Sequence, residues 1–173
     1  MCIEMFLKQL YPKKVIASVY ELDWTELSTR YAGVIFDIDN TLVPQDAPAD
    51  DRAAGLFRVI HGLGMKTMLL SNNKEARVKA FADKVGTGYL YKSGKPRKSG
   101  YLWAMKKMGT IPGNTLCIGD QIFSDVWGAN RAGMHSILVK PMNPREEIQI
   151  VLKRYLEKPV LYCYLRRQRK GNI

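Results

Sequence analysis

Short apolar runs alternating with amphipathic stretches of helical period set the strongest limit on how this chain folds. Gly33-Val34-Ile35-Phe36-Asp37 is a β-branched and aromatic run. Met65–Leu70, Gly88–Tyr91, Thr115–Ile118 and Ser136–Val139 are its counterparts further on. Between them lie segments with helical spacing: Asp50–His61, Glu75–Val85, Lys98–Met108, Ser124–Ala132 and Pro144–Leu156. In the first, Ala53, Leu56, Phe57 and Ile60 share a face; in the second, Val78, Phe81, Ala82 and Val85 do. Strands alternating with helices of about ten residues predict an α/β fold, a parallel sheet covered by helices on both faces. The length, 173 residues, suits one domain spanning 1–173.

The pattern is weaker at both ends. Residues 1–30 read as a helical N-terminal segment, with Ile3, Phe6, Leu7 and Leu10 on one face, Pro12 closing it, and Val15–Leu22 a second short apolar stretch. The alternating core spans 33–140, and 166–173 forms a basic tail.

Sheets of this kind bind ligands beyond the carboxyl ends of their strands. Asp37 follows the first strand, Ser71 the second and Asp120 the fourth. In Asp37-Ile38-Asp39-Asn40-Thr41 the two acids project to the same side of an extended chain, with Ile38 opposite. Two carboxylates held that close repel each other unless a cation or shared proton offsets the repulsion. The plain alternative, surface acids capping a turn, fits poorly with an acid placed directly after Val34-Ile35-Phe36.

Asp37-Ile38-Asp39-Asn40-Thr41 after an apolar strand resembles the first motif of the haloacid dehalogenase (HAD) superfamily. Leu69-Leu70-Ser71-Asn72 resembles the second motif, Gly94-Lys95-Pro96 the third, and Ile118-Gly119-Asp120-Gln121 followed by Asp125 the fourth, in order and in register. Within the superfamily the chain is similar to subfamily IIIA, the YqeG-like group, which is itself similar to mitochondrial phosphatidylglycerophosphate phosphatases. That narrower likeness rests on Leu42-Val43 after the first motif, Ser71-Asn72-Asn73, Lys95-Pro96, Gly119-Asp120-Gln121, and Gly128-Ala129-Asn130-Arg131-Ala132-Gly133-Met134. The resemblance implies a three-layer Rossmann-like fold and a phosphatase. It implies Asp37 as nucleophile, Asp39 as general acid/base, and Ser71 and Lys95 as catalytic groups on the phosphoryl oxygens. It also implies substrate contacts from Thr41, Asn72 and Lys95, and Mg²⁺ held by Asp37, the backbone carbonyl of Asp39, and Asp120. Asp125 could support Lys95 or a metal-bound water, or could equally cap the helix over 124–132. The basic stretch after Leu165 has no place in the family pattern.

Asp39 and Ser71 are separated by one loop and one helix, and Ser71 and Lys95 by one helix and one strand, so neither interval holds a cap domain. The site is therefore expected to be open, which suits a phosphate on a lipid head group, a protein or a nucleic-acid end; a partner subunit could also act as lid.

Lys plus Arg number 27 against 16 Asp plus Glu, a net charge of +11, so the surface attracts polyanions. The excess is concentrated after Lys140. Val160–Leu165 followed by Arg166, Arg167, Arg169 and Lys170 has two readings: the apolar residues pack on the domain and the basic ones aid solubility, or together they form the two-signal arrangement of peripheral membrane contact, toward which the open site and the family resemblance tip the balance. A phosphorylated substrate, with an anionic phospholipid as the specific expectation, is therefore favoured over nucleic acid, for which no zinc-finger, RRM or KH signature is present. A phosphorylation-dependent switch without turnover is the third class, and Asp39, placed to hydrolyse an aspartyl phosphate, argues against it. No apolar run approaches the roughly 20 residues needed to cross a bilayer. Residues 1–10 lack the basic start of a secretory signal, and Cys2, Cys117 and Cys163 are scattered thiols without metal-ligand spacing. A cytoplasmic protein, peripheral at the inner face of a membrane, is the resulting expectation.

Overall fold

The computed structural model describes residues 7–142 and 148–169, the latter without side chains for 148–154. Its elements are β1 (Lys14–Ile16), α1 (Trp24–Ser28), β2 (Gly33–Phe36), α2 (Asp51–Gly62), β3 (Lys66–Leu70), α3 (Glu75–Val85), β4 (Gly88–Leu90), α4 (Lys98–Met108), β5 (Thr115–Gly119), a π-helical turn (Ile122–Val126), α5 (Trp127–Arg131), β6 (His135–Val139) and α6 (Ile148–Arg169). Six parallel strands run in the order β1-β6-β5-β2-β3-β4. The five expected strands are all present, and the order places β2 at the centre, between β5 and β3.

Alternation along the buried strands divides the core into layers. Val34 and Phe36 of β2, Leu69 of β3, and Leu116 and Ile118 of β5 face Phe57, Ile60, Val78 and Phe81 of α2 and α3. Ile35, Met68, Leu70 and Cys117 face the other way, onto Tyr101, Ala104 and Met105 of α4 and Ala129 of α5. A third cluster joins Leu10 and Tyr11 to Ile122, Val126 and Leu138, and to Val160 and Tyr164 of α6.

Three expectations are corrected. The N-terminal region is not simply helical: Lys14–Ile16 is an edge strand paired with Ile137–Val139, and a 3-10 turn and the short α1 follow. Ile3 and Phe6 lie outside the described residues. The expected helix over 124–132 begins as the π-helical turn and becomes α-helical only at Trp127. The last helix does not stop at Leu156: α6 continues through Pro159 to Arg169, so Arg166, Arg167 and Arg169 are helical and not part of a tail. The pairing of Val160 and Tyr164 with the third cluster holds this extension on the domain.

Candidate active site

Strand β2 delivers Asp37 to the centre of the sheet's carboxyl edge, where its N–H donates to Ile118 O at 2.9 Å and continues the ladder one residue past the strand. Asp120 leaves the neighbouring β5, Ser71 leaves β3, and Lys95 follows β4. Carboxylate oxygens of Asp37, Asp120 and Asp125 lie within 4.8 Å of one another, and all three residues are buried.

Lys95 is inserted into this cluster. Its Nζ donates to Asp37 Oδ1 at 2.6 Å and to Asp125 Oδ1 at 2.7 Å, with the three side chains 3 to 10% exposed. Burial pushes the Asp37 carboxyl up to about 6; the Lys95 ammonium opposes this, and the Asp125 charge adds to it. Burial works against the Lys95 charge too, but Asp125 and Asp37 together outweigh it and hold the ammonium well above the ordinary lysine range. Three buried carboxylates face one buried ammonium. The all-oxygen donor set and the remaining negative charge fit a hard divalent cation such as Mg²⁺.

The site is held from outside by backbone and side-chain contacts. Asn72 Oδ1 accepts from Lys95 N at 3.0 Å and from Ser93 Oγ at 3.0 Å, and its Nδ2 donates to Lys95 O at 3.3 Å. The Asn72 amide, expected on substrate, therefore grips the backbone of the lysine. Ser71 Oγ accepts from Asn73 N at 3.1 Å. Thr41 is buried, and its Oγ1 meets no hydrogen-bond partner among the described residues. Of the roles expected for Asp125, the contact with Lys95 is present; beyond it Asp125 accepts from Gln121 N at 3.1 Å, and it does not cap α5, which follows Val126.

Asp39 stands apart from the three-carboxylate cluster. It lies in a tight loop in which Asn40 takes φ 60°, a left-handed conformation that asparagine tolerates. Its Oδ1 accepts from Asp46 N at 2.9 Å, its Oδ2 from Asn73 Nδ2 at 3.4 Å, and Arg77 forms an ion pair with both oxygens. Arg77 Nη2 also donates to Ala47 O at 3.1 Å, tying α3 to the loop after Asp39. Sequence reasoning missed Arg77. A signal was available: a cation in the first turn of α3 opposes the helix dipole and calls for a local anion. Glu157 was missed as well. From α6 its Oε1 accepts from Ile122 N at 2.7 Å and Phe123 N at 3.3 Å, where the π-helical turn begins. Its signal was an acid in register with Val160 and Tyr164 on the apolar stripe.

The comparisons agree with this architecture. The family model described as HAD-hydrolase-like matches residues 92–147. The probable phosphatase YqeG of Bacillus subtilis is 33% identical over 171 residues, covering 98% of this chain and 98% of that protein. Phosphatidylglycerophosphate phosphatase 1, chloroplastic/mitochondrial, of Arabidopsis thaliana is 26% identical over 174 residues, covering 90% of this chain and 48% of that protein. Among solved structures, a HAD family hydrolase from Deinococcus radiodurans with bound phosphate and sodium superposes with TM-score 0.53 at 16% identity, over 72% of this chain and 88% of that one. At those identities the likeness speaks for the fold alone. Near full-length identity to YqeG, the four motifs in register and the six-stranded parallel sheet agree, and the chain belongs to the HAD superfamily, in the family of YqeG.

Proposed function

We propose that the chain is a Mg²⁺-dependent phosphomonoester hydrolase that works through an aspartyl phosphate on Asp37. The observation that supports it is the Lys95 ammonium seated between Asp37 and Asp125 beside Asp120, at the carboxyl edge of a parallel sheet. In this reading an Asp37 oxygen attacks phosphorus while Asp39 protonates the departing alcohol. Asp39 then takes a proton from the water that opens the aspartyl phosphate. Lys95, Ser71 and Thr41 Oγ1 bind the phosphoryl oxygens, and Asn72 holds Lys95 in place. Asp37, Asp120 and the Asp39 carbonyl would hold Mg²⁺, which when bound offsets the repulsion between carboxylate and phosphate.

Phosphatidylglycerophosphate is the proposed substrate. The Arabidopsis relative carries that activity in its name. The intervals from Asp39 to Ser71 and from Ser71 to Lys95 hold α2 and α3 but no cap, which leaves room for a head group attached to a bilayer. The test is a screen of lipid, nucleotide and sugar phosphates with Mg²⁺, using Asp37→Asn as blank. Phosphatidylglycerophosphate is expected to give the highest kcat/KM, with reversible loss in EDTA. Retention by Asp37→Asn of more than about a tenth of the wild-type rate would remove the nucleophile assignment.

A further inference from the structure

Helix α6 has two unlike faces. Glu157, Val160 and Tyr164 are buried against the domain. Tyr155, Tyr162 and Leu165 are 61%, 66% and 45% exposed. Lys158, Arg166 and Arg169 fall on the same outer arc, since positions three, four and seven apart share a helix face. Lys158 Nζ lies 4.3 Å from the Tyr155 ring centroid, so cation and aromatic are interleaved. The one acid between Tyr155 and Arg169 is Glu157, and it points inward.

Such a face is unusual for a surface exposed only to water. It carries cations without an exposed acid of its own helix, and it keeps large apolar side chains in solvent; Leu156, at its flank, is 60% exposed. The charge complements a polyanion. The leucines call for an apolar phase, which a nucleic acid does not provide. Tyrosines beside lysine and arginine are at home at the boundary between head groups and acyl chains. No helix among the described residues is long and apolar enough to cross a membrane, so the contact is superficial.

We propose that the outer face of α6 docks on an anionic lipid bilayer. The choice of a bilayer rests in part on the lipid-phosphate reading above; the charge and exposure of the face stand independently of it. Docking there bears on the active site. The inner side of the same helix holds Ile122 and Phe123 through Glu157, so the turn that carries Asp125 lies about one helix diameter, roughly 10 Å, from the bilayer.

The experiment is co-sedimentation of the full chain with vesicles of phosphatidylcholine alone or mixed with phosphatidylglycerol, in low and high salt. p-Nitrophenyl phosphate hydrolysis with Mg²⁺ is measured in parallel. Binding to the mixed vesicles only, weakened by salt, is expected. Lys158→Gln, Arg166→Gln and Arg169→Gln should each lower the partition coefficient about fivefold. Tyr155→Ser with Tyr162→Ser should lower it further, and all should hydrolyse p-nitrophenyl phosphate as wild type does. Equal binding to neutral vesicles, no binding, variants that bind as wild type, or tighter binding to single-stranded RNA than to the mixed vesicles would each overturn the docking. Hydrolysis without vesicle binding removes the docking and leaves the phosphatase; vesicle binding without hydrolysis of any phosphomonoester does the reverse.

Discussion

Arg77 and Asp39 form an ion pair in which the guanidinium meets both carboxylate oxygens, and this pair, not the cluster of Asp37, Asp120 and Asp125, sets where Asp39 points. With Asp46 N and Asn73 Nδ2 also donating, the carboxylate is held by donors from three segments. In the proposed reaction Asp39 is the general acid/base, a role worth about 10² to 10⁴ in rate, so misplacing it costs part of that range. Arg77→Gln is expected to lower kcat about thirtyfold on an alkyl phosphate and to change KM little. On p-nitrophenyl phosphate the loss in kcat/KM, which covers only formation of the aspartyl phosphate, should be much smaller, because nitrophenolate leaves without a proton, while opening of the aspartyl phosphate slows alike for both substrates. Arg77→Lys should rescue poorly, since an ammonium lacks the planar fork. Equal losses in kcat/KM on both substrates would show that Arg77 serves the fold and not the acid.

Asp37 supplies a pH signature. Burial raises its carboxyl from 3.8 to about 6 in the absence of metal, against the pull of Lys95. Between those values the folded chain holds a proton that the unfolded chain has released, so the unfolded state binds fewer protons and stability falls as pH rises. The metal-free protein is therefore expected to lose stability between about pH 4 and pH 6. Asp37→Asn, which does not titrate, should flatten that fall, and Mg²⁺ should flatten it in the wild type. Urea denaturation in EDTA across this range checks the point; a rise in wild-type stability attributable to Asp37 would contradict the sign.

What could be read from the residues alone follows from where each signal is stored. Val34-Ile35-Phe36 and Met68-Leu69-Leu70 are buried on both faces, so their apolar character is continuous and visible. Lys14–Ile16 is a three-residue edge strand, partly exposed, and its pairing with β6 is a tertiary event without a local pattern. Asp37, Ser71 and Asp120 stood out because strand ends concentrate chemistry, and Lys95 through the resemblance of Gly94-Lys95-Pro96 to a family motif. Arg77 and Glu157 act from helices, where a charged residue ordinarily faces water, and only the packing turns them inward. The helix expected to end at Leu156 runs on through Pro159, because Val160 and Tyr164 bury on the domain and carry it further.

Gly119 is a second test of how the site is packed. A Cβ there would stand 2.3 Å from Asp125 Cγ, and Asp125 is not free to move, being tied to Lys95 Nζ and Gln121 N. Gly119→Ala is expected to cost about 1 to 3 kcal/mol, as overpacking does, and to lower kcat at least about tenfold by displacing the Lys95 partner. Gly113→Ala is the control, since nothing lies within 4 Å of a Cβ at that position. If both variants match wild type in Tm and rate, the tight seating of Asp125 is incorrect.

Glu157 is the remaining test, and it concerns a residue far from the motifs. The residue is 3% exposed, and its carboxylate accepts from Ile122 N and Phe123 N, donors at the start of a helical turn that lack partners within the turn itself. Removing the acceptor leaves buried N–H groups unsatisfied, at about 1 to 3 kcal/mol. Glu157→Ala should therefore destabilise by about that amount even in EDTA, where no metal contributes. Glu157→Gln keeps an acceptor of the same shape and should cost less, because a neutral oxygen makes a weaker bond than a charged one. The turn so held joins Asp120 to Asp125, so loosening it should also weaken Mg²⁺ binding, read by isothermal titration without substrate, in the order wild type, Gln, Ala. Loss of stability with unchanged Mg²⁺ affinity would confine Glu157 to anchoring α6; loss of both ties the C-terminal helix to the site.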